Sequence, residues 1–119
     1  KTISNCMDLM EPLLVITNLP DKDSAERVAK NLISRHLAAC VNILAPCTSV
    51  YRWQGQVETA QEIPLLIKTL AIHYSKVEAA IRQQHPYELP EIIAVPVHAG
   101  LPEYLAWIVA ETSNNEEQH

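Results

Sequence analysis

Apolar residues in this chain form two short unbroken runs. Between them lie stretches in which apolar positions recur every three or four residues. The first run, Leu13-Leu14-Val15-Ile16, ends at Asn18-Leu19-Pro20 and has the length and density of a buried central strand. After it, Ala25, Val28, Ala29, Leu32, Ile33 and Leu37 keep helical spacing, which predicts an amphipathic helix with one face toward a core. Asp23-Ser24-Ala25-Glu26 has capping-box spacing, so Asp23 is expected to accept from the first-turn amides. Glu26 and Lys30, four apart, add a weak pair on the outer face.

From Cys40 the pattern changes. Residues 40–44 are strand-like up to a break at Pro46, and residues 48–53 are strand-like again, rich in β-branched and aromatic types. Gln54-Gly55 supplies a two-residue hairpin turn. Counting back from it sets Tyr51 opposite Glu58 and Trp53 opposite Gln56 on a return strand expected over 56–69. Pro64 interrupts that strand and implies an edge or a bulge. With Pro46 in the other arm, the long hairpin reads as one that leaves its own sheet and docks on a neighbour. A second helix is expected over 73–84, with Val77, Ile81 and Gln84 on one face, stopping before Pro86. Ile92-Ile93-Ala94-Val95 is the second apolar run. Gly100-Leu101-Pro102-Glu103 then opens a last helix whose stripe is Leu101, Tyr104, Leu105 and Ile108. The order β-α-β-β-α-β-α predicts an α+β domain with the split βαβ, ferredoxin-like plan (βαββαβ plus a C-terminal helix). Residues 1–11 and 113–119 are expected to be flexible tails around a domain at 12–112.

Composition narrows the function classes. The chain has 119 residues, 48% of them hydrophobic, enough for one packed core. A net charge of −5 argues against nucleic acid, whose binding needs a basic face. The absence of any Phe and of a stacking-aromatic motif argues against RNA on the sheet. No apolar run reaches the roughly 18 residues of a membrane span, and residues 1–11 do not read as a signal peptide, so the cytoplasm is the expected compartment. Cys6, Cys40 and Cys47 have neither zinc nor disulfide-framework spacing; Cys40 and Cys47 read as small buried apolar side chains. There is no Gly-rich phosphate loop and no nucleophile elbow, so no enzyme is expected.

Three segments carry a family resemblance: Ala38-Ala39-Cys40-Val41-Asn42-Ile43; Tyr51-Arg52-Trp53-Gln54-Gly55-Gln56-Val57 with Glu62 and Leu66-Ile67-Lys68-Thr69; and His85-Pro86-Tyr87-Glu88-Leu89-Pro90-Glu91. Together, over about residues 13–110, they resemble the CutA divalent-cation tolerance family. That family is similar to the PII signalling proteins in fold and in trimeric assembly. The resemblance implies a homotrimer whose long hairpins pair between subunits, and a link to divalent cations, copper above all. Members credited with copper sites carry a cysteine near the end of the first strand and two histidines before Pro-Tyr. Here Thr17 and Gln84-His85 stand in those places, leaving His85 alone of that set.

Two site readings follow. In the first, His85 with Glu88 and Glu91 holds Cu(II) or another divalent cation, imidazole being a good Cu(II) ligand; the alternative for His85 is a helix cap or a hydrogen bond across a subunit boundary. In the second, Tyr51, Trp53, Glu58, Glu62, Lys68 and Tyr87 line an inter-subunit cleft for a small molecule or partner protein, or simply pack an interface. His36, His73 and His98 share no ligand spacing and read as structural or surface residues.

Overall fold

A computed structural model describes residues 9–113. Most of the two expected tails, and Cys6 with them, lies outside the described residues. The elements are β1 (Pro12–Leu19), α1 (Lys22–Ser34), β2 (Cys40–Ile43), β3 (Cys47–Trp53), β4 (Gln56–Leu70), a 3-10 turn (Ala71–His73), α2 (Tyr74–Gln84), β5 (Ile92–Pro96) and α3 (Pro102–Thr112). The sheet order is β2-β4-β1-β5, with β3 paired to the far part of β4. Each pairing is antiparallel.

β1 alternates rather than being buried throughout: Leu13, Val15, Thr17 and Leu19 face inward. Opposite them, Leu65 and Ile67 of β4 meet Ala25, Val28 and Leu32 of α1 and Val77, Ala80 and Ile81 of α2 in one core. The expected helical face of α1 therefore holds, except at Ile33, which is exposed. The last helix packs against β4, burying Ile108 and Thr112. Of its expected stripe, Leu101 and Tyr104 remain exposed.

Asp21, not Asp23, caps α1. Its backbone is extended (φ −153°), its carboxylate accepts the Ser24 amide at 2.8 Å, and Ser24 Oγ donates to the Asp21 carbonyl at 3.1 Å. The helix thus starts two residues earlier than the sequence spacing suggested, because Asp21 offers the same chemistry at an extended position. At the other end His36 takes the left-handed region (φ 58°), and the Leu37 amide reaches back to the Leu32 carbonyl at 3.0 Å, closing the helix in Schellman fashion.

The hairpin register is the one counted from the turn, with Tyr51 opposite Glu58 and Trp53 opposite Gln56. Pro64 marks where β4 exchanges one edge partner for another, since β3 pairs with 56–62 and β2 with 65–68. The Pro64 carbonyl accepts from the Leu44 amide at 3.0 Å. A strand residue's N–H and C=O point to the same side, so the missing N–H faces the Leu44-Ala45-Pro46 connection, where no ladder runs. Cys40 and Cys47 lie opposite Lys68 and Glu62, six residues apart on β4 and hence about 20 Å apart, too far to bridge. Both are half-buried rather than buried. Lys68 Nζ lies 3.8 Å from Cys40 Sγ.

β5 departs most from expectation. Its continuous apolar run predicted a buried strand, yet Ile93 and Val95 are 49% and 44% exposed. Both lie in register with Ile16 and Leu14, on the face of the sheet turned away from the α1–α2 core, and among the described residues β5 pairs with β1 alone at an open sheet edge.

Candidate functional site

The site lies where the hairpin leaves the sheet and the connection from α2 to β5 folds back toward it. Side chains alternate along a strand, and the register sets Cys47 opposite Glu62 and Tyr51 opposite Glu58. Ser49, Tyr51 and Trp53 consequently share one side of the hairpin with Glu62. The facing wall is the segment 85–91, which three hydrogen bonds fasten. His85 Nε2 bonds the Asn18 carbonyl at 2.6 Å, the Tyr87 amide donates to His85 Nδ1 at 3.2 Å, and Asn18 Nδ2 donates to Glu91 Oε1 at 2.8 Å. Asn18, at the end of β1, thus holds both ends of the segment.

Between the walls is a cleft of about 630 Å³ lined by Asn18, Ser49, Val50, Tyr51, Arg52, Trp53, Glu62, Tyr87, Glu88, Leu89 and Glu91. Glu62 is only 8% exposed and accepts the Tyr87 hydroxyl. Burial first, then the hydrogen bond to Glu62 and the negative charge of Glu62, push the Tyr87 phenol up to about 12.

His85 is buried beside Tyr87, ring centroids 4.7 Å apart. A backbone amide can only donate, so Nδ1 is the acceptor and Nε2–H donates to Asn18. Both ring nitrogens are engaged within the chain. The Nδ1 lone pair that a metal would take is held by the Tyr87 amide, and Nε2 carries the proton. Glu88 and Glu91 are exposed, and Glu91 is held by Asn18. Among the described residues no group of three His, Cys, Asp or Glu side chains is placed to hold a metal ion. Thr17 is fully buried in the core with its hydroxyl unpartnered among the described residues, and it is not part of the cleft lining.

Of the residues expected in a cleft, Tyr51, Trp53, Glu62 and Tyr87 meet there, joined by Glu88 and Glu91 from the expected metal set. Glu58 and Lys68 do not line it. Glu58 sits toward the hairpin tip and is exposed. Lys68 lies six residues beyond Glu62, about 20 Å along the strand, where it bonds the Asn42 side chain. Asn18, Ser49, Val50, Arg52 and Leu89 were not anticipated. Asn18 had read only as the end of a strand, and its role depends on partners 67 and 73 residues away.

The family model of the CutA1 divalent ion tolerance protein matches residues 13–111. The chain belongs to this family. The CutA1 match runs from β1 into α3 and so takes in both walls of the cleft. The divalent-cation tolerance protein CutA of Thermus thermophilus is 44% identical over 103 residues, 87% of this chain and 99% of that protein. The crystal structure of CutA from Xylella fastidiosa is similar at a TM-score of 0.83 and 49% identity, covering 86% of this chain and 98% of that one. A CutA from Archaeoglobus fulgidus, described as a periplasmic divalent cation tolerance protein, is similar at 0.83 and 36% identity, covering 85% of this chain and 98% of its own. The α+β fold is thus the CutA1 fold. Among the described residues no helix is long and apolar enough to cross a membrane.

Proposed function

We propose that this CutA1 chain serves in the response to divalent metal ions as a non-enzymatic cytoplasmic homotrimer. Its ligand site is the cleft between the hairpin and segment 85–91, which receives a small molecule. The observation that carries this reading is the pairing of buried Glu62 with half-buried Tyr87 at a cleft of about 630 Å³, a volume within the range of small-molecule sites. Aromatic walls with a few placed polar groups are the usual composition of such sites. The family supports the link to cations, and the open edges of β3 and β5 support assembly with further copies.

A second reading sets Cu(II) or another divalent cation on His85 with Glu88 and Glu91. The closeness of these residues on one short segment supports it, and it requires His85 to give up the Tyr87 amide. Thermal-shift screening of chelator-treated protein against a metabolite library and against Cu(II) separates the two. Stabilisation by an organic compound without added metal, lost in Glu62→Gln, is the expected outcome. Stabilisation by Cu(II) alone, lost in His85→Ala, would replace the cleft reading with the metal one.

A further inference from the structure

Resting on the cleft reading above, we infer that the ligand is a small organic cation, an amine or guanidinium compound, seated with its charge on Glu62 and its carbon frame against Tyr51 and Trp53. Charge complementarity comes first. Glu62, Glu88 and Glu91 line the cleft against one cation of its lining, Arg52. Asp21 also lies close enough to act on the Tyr87 hydroxyl. An anionic ligand would meet repulsion from three carboxylates in a partly closed space, where charges are poorly screened.

Glu62 supplies the anchoring group. It is 8% exposed, so water hydrates it poorly, and a buried carboxylate calls for several donors. A carboxylate has about four acceptor sites, and the Tyr87 hydroxyl fills one. An ammonium or guanidinium group brings the further donors together with the opposite charge, the strongest class of hydrogen bond available to it.

The walls favour an organic cation over a bare ion. Tyr51, Trp53 and Tyr87 present aromatic surface, which attracts ammonium and guanidinium groups as well as methylene chains. A bare divalent ion needs several oxygen or nitrogen ligands converging on one point, and among the described residues no three His, Cys, Asp or Glu side chains do so.

The test is isothermal titration of chelator-treated full-length protein with three probes of equal carbon length: cadaverine, pentanediol and glutarate. Cadaverine alone should bind. Binding should weaken roughly tenfold or more in Glu62→Gln, the usual consequence of losing one charged hydrogen bond, and remain unchanged in Glu58→Gln, an exposed carboxylate outside the lining. Tyr51→Ala, on the exposed arm, should weaken it as well and reads the same site should Glu62→Gln fail to fold. Binding of pentanediol or glutarate in place of cadaverine would overturn the inference while leaving the cleft reading intact. So would a library compound that is not a cation but depends on Glu62. Equal cadaverine binding in wild type, Glu62→Gln and Tyr51→Ala would mean general attraction to a chain of net charge −5 and would also overturn it. A change of oligomeric state in Glu62→Gln, with no response to any probe, would show the cleft filled by a second copy, and both readings would fall.

Discussion

Tyr87 joins the chemistry of the site to the stability of the molecule. Burial, followed by the hydrogen bond to and charge of Glu62, raises its phenol from 10.0 to about 12. A raised folded-state pKa means the fold prefers the neutral hydroxyl, which alone can donate to Glu62. The stabilisation is therefore complete below pH 10 and is lost as pH rises from 10 toward about 12. Tyr87→Phe should lower stability at neutral pH and flatten the alkaline fall in thermal midpoint. Tyr74 and Tyr104, both raised first by burial, should leave a residual slope. An unchanged alkaline profile in Tyr87→Phe would mean that the fold does not hold the Tyr87 hydroxyl in its neutral form. His85 shows a related coupling: its nitrogens tie segment 85–91 to β1, and service as a metal ligand would cost the bond from the Tyr87 amide.

At the scale of the element, the hairpin turn shows how little of the chain sets the position of Tyr51 and Trp53. Gln54 and Gly55 both have positive φ, 50° and 81°, the pattern of a two-residue turn whose twist matches the flanking strands. A Cβ at Gly55 would meet no atom within 4 Å, so the cost of Gly55→Ala is backbone strain alone. That substitution should destabilise by about 1 kcal/mol, read as a lower urea midpoint at constant slope. A much larger loss would show that the tip is packed against another surface. The same register set the aromatic face in advance of the structure, because a two-residue turn leaves one pairing for every residue behind it.

At the scale of the molecule, the described residues leave three strands, β2, β3 and β5, each with an unpaired edge, and much apolar surface uncovered. Among the described residues β3 pairs with β4 alone and β5 with β1 alone. Ile93 and Val95 on β5, and Val50 and Val57 on the hairpin, are exposed. A long apolar open edge invites pairing with another chain, which agrees with the proposed trimer. Val95→Lys should shift the species seen by light scattering toward monomer and lower the thermal midpoint. A trimer of undiminished stability would place the subunit contact away from β5.

Local spacing was enough for the element order, the inward face of α1, the hairpin register and the family likeness. Each depends on residues close in sequence, or on a period that the backbone geometry imposes. Spacing could not choose between Asp21 and Asp23 as the cap, since both offer a carboxylate near the helix start and only the extended backbone at Asp21 decides. Nor could it tell a central strand from an edge. The runs at 13–16 and 92–95 look alike, but β1 has a strand on each side and β5 has one. Four residues lining the cleft within the chain, Tyr51, Trp53, Glu62 and Tyr87, were among those that the sequence singled out for a cleft between subunits. What tertiary structure alone decided is that Asn18 holds His85 and Glu91 from 67 and 73 residues away, and that Glu62 meets Tyr87 beneath the hairpin. Such contacts arise only when the folded sheet brings distant segments together, and no periodicity in the chain encodes them.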